Sequence, residues 1–273
     1  MVTPESHRQS MSGKLRAAQR LATAALCMLA LGGLVSARSV RADDVLPLSA
    51  EDQTEITALL GAGVVGDALP SKPIDDTSVY FPLEEKELSY QVTGGKDAGK
   101  TQALKIAQGK RPIGTPAWRF ELSPSLAAFI SRTPDGDLLM PAVSDNGEGV
   151  VVVTTPPNPF VLKGMKPGES RSLSQTVAVN YLDEPTKKDY SGELDGTYTY
   201  VGTYQVTVPA GSYQAVLLRM KFHGKVGPAH TEDTAYYFFA PGVGVVAMIS
   251  QEDVEAFYII HIDTSTGKVL AAN

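Results

Sequence analysis

Beyond residue 42 the chain carries three histidines, His223, His230 and His261. His223 and His230 flank a short predicted loop, with Glu232 and Asp233 beside it. Two imidazoles and two carboxylates suit a transition metal, which would activate a water for hydrolysis. The spacing matches no zinc pattern, and polar residues at strand ends are ordinarily solvated. His261 shares an alternating face with Phe257 and Ile259. A partly buried histidine satisfied by a neighbour is the commoner meaning of that pattern. A nucleophile is hard to find, because the only cysteine is Cys27 and no serine sits in a Gly-x-Ser-x-Gly elbow. Adjacent carboxylates such as Asp183-Glu184 and Glu252-Asp253 read as solvated turns, whereas glycosidase acids come from separate strands lining a cleft. The sequence points to no cofactor. A further chemical pattern is a run of tyrosines, Tyr198, Tyr200 and Tyr204. Such a ladder could stack a sugar, line a lipid groove, or simply pack across strands.

Those tyrosines belong to the best-patterned element of the chain, a predicted β-hairpin over residues 196–224. Its first arm alternates Tyr198, Tyr200, Gly202, Tyr204, Val206 and Val208 with Thr197, Thr199, Val201, Thr203, Gln205 and Thr207. Pro209-Ala210-Gly211 supplies the turn: proline presets φ and glycine tolerates a left-handed conformation. The second arm places Val216, Leu218, Met220 and Phe222 on one face and Leu217, Arg219, Lys221 and His223 on the other. The expectation is one apolar face, with Tyr198, Tyr200, Tyr204, Val206, Val216, Leu218, Met220 and Phe222 together on it.

The N-terminus has the form of an export leader. Lys14, Arg16 and Arg20 precede an apolar run over residues 21–35, and Val40-Arg41-Ala42 fits a small-x-small cleavage site before Asp43-Asp44. The run is shorter than the ~20 residues of a spanning helix. Residues 1–42 are therefore expected to be a cleaved signal peptide rather than an anchor. Leu26 before Cys27, and apolar residues after it, argue against lipidation there. Six of the 24 Lys/Arg and one of the 30 Asp/Glu lie in this leader, which leaves a mature net charge of −11. That balance disfavours nucleic acid and anionic membrane surfaces as partners. The mature chain has no cysteine, so its stability must come from a packed core.

Residues 43–79 are expected to form a helix and a connector. Ser49 reads as an N-cap with Glu51 and Asp52 in the first turn; Ile56, Leu59 and Leu60 make the apolar stripe, and Gly61 stops it. The glycines at 61, 63 and 66 do not follow a strand, so they do not form a nucleotide loop. Residues 80–273 read as short strands between turns, an antiparallel meander. Turns are expected at Asp135-Gly136, at Pro156, Pro157 and Pro159, over residues 181–194, at Gln251-Glu252-Asp253, and at Ser265-Thr266-Gly267. Tyr236-Tyr237-Phe238-Phe239 is apolar on both faces and needs cover on both sides. A sheet curled around the helix would supply one cover.

The stretch over residues 204–215 resembles a hairpin recurrent in secreted bacterial proteins of unknown function. Phe81-Pro82-Leu83 with Tyr90-Gln91-Val92, and residues 236–246, resemble the strands that accompany it. The curved sheet of those families is similar to the half-barrel of the periplasmic lipoprotein carriers LolA and LolB. The resemblance implies a mainly β fold, a strongly curved antiparallel sheet with one N-terminal helix. Its motifs are structural turns, and it carries over no site residue. The reading is an exported, periplasmic or secreted protein that binds an apolar, lipid-like molecule in its concave face without catalysis. The alternatives are an envelope interaction module with a filled core, and a metal-dependent hydrolase centred on His223 and His230.

Overall fold

The computed structural model describes residues 19–20, 45–112, 115–257 and 260–272. The cleavage site after Ala42, Cys27 and the apolar run lie outside the described residues.

Helix α1, Ala50–Leu60, forms where the caps demand it. Ser49 Oγ accepts from the Asp52 amide at 3.1 Å, and Gly61 ends the helix at φ 99° with its amide on the Thr57 carbonyl. A connector then holds the short strand β1, Val65–Leu69, and the single turn α2, Thr77–Tyr80. Twelve longer strands follow. They are β2 Lys86–Gly94, β3 Thr101–Lys110, β4 Pro116–Glu121, β5 Leu126–Arg132, β6 Leu138–Asp145 and β7 Val150–Val161. The rest are β8 Ser170–Tyr181, β9 Lys188–Val208, β10 Gly211–Val226, β11 Ala229–Ala240, β12 Gly244–Ala256 and β13 Ile260–Leu270.

All these pairings are antiparallel, and the sheet closes. From β9 the order runs β10, β11, β12, β13, β2, β3, β4, β5, β6, β7, β8, and β8 then pairs back onto β9 from Ser170↔Thr199 to Asn180↔Lys188. The curved antiparallel sheet expected from sequence is thus a complete twelve-strand barrel, which leaves no edge along the closing pair. β9 outruns β8, and its far half takes β1 instead, with Val65 opposite Val206.

Residues paired across strands share a face, and ring contacts identify the inner one. Phe160 on β7 meets Phe239 on β11 at 5.3 Å between ring centroids, across the barrel. Phe81 plugs this end, 4.9 Å from Phe160 and 5.3 Å from Phe120. Tyr237 and Phe239 therefore point inward, while Tyr236 and Phe238 point outward beneath α1. The two-sided cover required by Tyr236-Tyr237-Phe238-Phe239 is present, but the helix lies outside the barrel rather than within its curve. Ile56 and Leu60 bury their side chains against this outer face.

Close approach of the helix depends on two glycines. A Cβ on Gly267 would fall 2.1 Å from the Leu59 carbonyl, and one on Gly94 would fall 2.9 Å from it. Thr93 Oγ1 donates to the same carbonyl at 2.7 Å, satisfying one acceptor of the helix's last turn.

Several expected turns are strand. β12 passes straight through Gln251-Glu252-Asp253, β13 through Ser265-Thr266-Gly267, and β7 through Pro156, Pro157 and Pro159. β9 begins at Lys188, inside the turn expected over residues 181–194. On β9, β12 and β13, pairing with long neighbouring strands overrides weak local strand propensity, whereas on β7 the register with β6 breaks at Pro156 and Pro157 and resumes at Asn158.

Candidate functional site

The hairpin residues do not share one face. Leu217 pairs with Gly202 but Leu218 pairs with Tyr200, so Val201 is an extra residue in β9. A bulge of this kind reverses the alternation beyond it. Tyr198 and Tyr200 stand opposite Met220 and Leu218 on the inner face; Tyr204 and Val206 fall on the outer face, opposite Ala215 and Tyr213. The Tyr204 hydroxyl donates to the Leu46 carbonyl at 2.9 Å, beneath the N-terminal segment.

The six inward residues, Tyr198, Tyr200, Val216, Leu218, Met220 and Phe222, are between 0 % and 5 % exposed. They fill the barrel at this point. Tyr198 donates to the Phe160 carbonyl at 3.2 Å and Tyr200 to the Lys72 carbonyl at 3.0 Å. Burial raises both hydroxyls, that of Tyr200 to about 12, so both stay neutral donors. The tyrosines hold connector and strands together rather than facing a groove.

The histidines lie on the outer face. His223 pairs with Asp195 on β9 and Glu232 on β11; His230 pairs with Lys225 and Glu255. Asp233 is on the opposite, inner face. Among the described residues no group of three or more His, Cys, Asp or Glu side chains could hold a metal. His261 is exposed rather than partly buried, with Nδ1 3.4 Å from Asp253 Oδ1. A depression of about 850 Å³ beside α1 is lined by this outer row, with acidic groups at Glu51, Glu55, Asp195 and Glu232. Its one lysine, Lys221, is bonded to Glu51.

A different cavity opens into the barrel. It holds about 490 Å³ and lies where the β2–β3 turn (Lys96, Asp97) and the β4–β5 turn (Leu122 to Leu126) meet the inner face of β12 and β13. Three cross-strand pairs make its long wall: Met248↔Lys268, Ser250↔Thr266 and Glu252↔Thr264. Tyr237 from β11 and Leu122 and Leu126 from the turn add apolar surface. Lys268 is 5 % exposed, and its ammonium donates to the Leu122 carbonyl, tying the turn to β13. Burial brings it down to about 8, with Asp97 opposing the shift, so it remains a cation at neutral pH.

Glu252 stands at the more exposed end of this wall, opposite the exposed Thr264, while Met248 and Lys268 form its buried end. Burial raises it to about 7; the Thr264 hydroxyl at 3.3 Å opposes the shift and the charge of Asp145 adds to it. Across β11 it faces Asp233, which burial and then the Glu252 charge push well above the ordinary carboxylate range. Sequence reading missed this wall because Glu252 and Thr266 sat in expected turns. The signal was present. Counting outward from Tyr258 aligns 252 with 264, 250 with 266 and 248 with 268, each pair two residues from the next.

Charge on the outer face is handled differently. Asp52 is 1 % exposed, and both its oxygens accept from Arg219 at 2.6 Å. Tyr236 donates to it at 2.9 Å and Ser49 at 2.7 Å. Burial alone would raise this carboxyl, but these bonds outweigh it and hold it below its ordinary value. The cluster fastens α1 to β10 and β11.

No family model matches the chain, and no curated protein matches it. Among solved structures it is similar to a chain from Bacteroides fragilis described as exported and with a YmcC-like fold. That match has 14 % identity and a TM-score of 0.37, over 71 % of this chain and 98 % of the other. A chain from Parabacteroides distasonis described as a lipoprotein matches at 12 % identity and TM-score 0.31, over 71 % and 97 %. The hypothetical lipoprotein YmcC from Escherichia coli matches at 8 % and 0.28, over 74 % and 90 %. These scores lie below 0.5, so the assignment as a barrel rests on its own strand pairing.

Proposed function

We propose that this is an exported, soluble barrel that binds a single-chain, lipid-like amphiphile in the cavity between β12–β13 and the β4–β5 turn, without catalysing a reaction. The observation that carries this reading is the cavity itself, about 490 Å³ against the inner face of β12 and β13. Its size is that of small-molecule sites, ~300–1,000 Å³, and its lining sets the apolar surface of Leu122, Leu126, Tyr237 and Met248 beside hydroxyl and charged groups, as an amphiphile requires. The outer face supports a soluble barrel. Asp195, His223, Glu232, Asp253 and Asp263 run across it in register, whereas a membrane barrel turns an apolar band to lipid. Export rests on the leader, with maturation after Ala42 and no lipid on Cys27.

Native mass spectrometry of protein purified from envelope fractions tests the reading. A chain beginning at Asp43 with a bound amphiphile is the expected result. A bare chain that also ignores fluorescent fatty-acid probes overturns the ligand, and a lipidated Cys27 overturns the maturation. The packed interior at the hairpin favours a second reading, an envelope interaction module, which a co-purifying protein in place of a small ligand would support.

A further inference from the structure

A cavity built only to hold a hydrocarbon chain does not need Lys268. An ammonium side chain only 5 % exposed is costly in an apolar barrel, and its neighbour across the strands is Met248, not a carboxylate. Its buried bond to the Leu122 carbonyl is to a neutral acceptor. The next pair along the wall, Ser250↔Thr266, brings two hydroxyls beside it. A cation and adjacent hydroxyl donors, set beside the apolar side chains of Tyr237, Met248 and Leu126, form a receptor for an anionic head group.

Charge balance narrows the head group. Of the charged residues lining the cavity, Asp97 is already bound by Lys100 at 2.7 Å and Lys96 offsets Glu252 in number, which leaves Lys268 without a carboxylate of its own. Beyond Glu252 stand Asp233 and Asp145, further acidic groups. One added negative charge is matched by Lys268. A second would meet this carboxylate side of the cavity with no cation left to take it.

Building on the reading of the cavity as a ligand site, we infer that its ligand is a long-chain carboxylate. The head group lies on Lys268 Nζ and the hydroxyls of Ser250 and Thr266, in place of the Leu122 carbonyl. The chain lies along Tyr237, Met248 and Leu126. Exchange of the Leu122 carbonyl for the ligand frees the β4–β5 turn, so this turn moves when the cavity fills.

Calorimetric titration at pH 7 with dodecanoate, dodecan-1-ol and dodecyl phosphate tests the inference, using the wild-type chain, Lys268→Met and Lys268→Arg. The expected result is dodecanoate bound at least ten-fold more tightly by the wild type than the alcohol or the phosphate. Lys268→Met erases that preference while still binding the alcohol, and Lys268→Arg keeps it. Equal binding of acid and alcohol by the wild type overturns the head-group assignment and leaves the cavity reading standing, as does tighter binding of the phosphate. No binding of any of the three overturns both. The wild-type comparison decides the matter even if Lys268→Met does not fold.

Discussion

At the scale of residues, two buried carboxylates on opposite sides of one sheet, Asp52 on α1 and Asp233 on β11, behave in opposite ways. Asp52 has the Arg219 cation and two hydroxyl donors, Tyr236 and Ser49, around it and stays ionised between α1 and the sheet. Asp233 has one hydroxyl, Thr231 Oγ1 at 2.8 Å, and a second acid across the strand. A buried carboxyl without a cation is held neutral, and that neutrality is a cost whenever the solvent would ionise it. The folded value of Asp233 is raised, so its contribution to stability is intact below the unfolded value of about 4 and declines as pH rises toward the folded value. Asp233→Asn keeps the shape and cannot ionise. It is expected to match the wild type in thermal midpoint at pH 4 and to exceed it progressively from pH 5 to 8. Midpoints that stay equal across that range would contradict the assignment of Asp233 as a proton-holding acid.

At the scale of elements, the hairpin of β9 and β10 marks how far the pattern can be read. The inward set on β10, Val216 to Phe222, follows plain alternation and is legible. On β9 the alternation is legible only up to Tyr200, because a bulge at Val201 is decided by how two long strands coil around each other, not by the side chains. Gln251-Glu252-Asp253 reads as a turn for a local reason, since these residues have low strand propensity. Their strand character comes from partners on β11 and β13 that are distant or unremarkable in sequence. The cavity wall was hidden by the same error. Helix α1 was legible from its caps and stripe, but not its seat, which depends on Gly94 and Gly267 meeting Leu59. Gly267→Ala forces that helix off the sheet. A loss of about 1–3 kcal/mol in denaturant unfolding is expected, with faster amide exchange in α1 than in the barrel. An unchanged midpoint would mean that the helix does not seat there.

At the scale of the whole molecule, closure organises the rest. Long strands β9 to β13 make one side of the barrel and short hairpins make the other, so the β2–β3 and β4–β5 turns end against the inner face of β12 and β13. A cavity forms at that step in height, while the opposite end is plugged by Phe81 and the connector. The sheet's curvature followed from strands apolar on both faces. Closure did not, because the β8–β9 pairing that completes it adds no periodicity of its own. Filling the step with a side chain probes the cavity itself. Met248→Trp places a large ring against Lys268 in the cavity and leaves the hairpin core untouched. Dodecanoate binding to this variant, measured by calorimetry with its thermal midpoint as a control for folding, is predicted to weaken at least ten-fold at an unchanged midpoint. Wild-type affinity in the folded variant would contradict the cavity as the binding site.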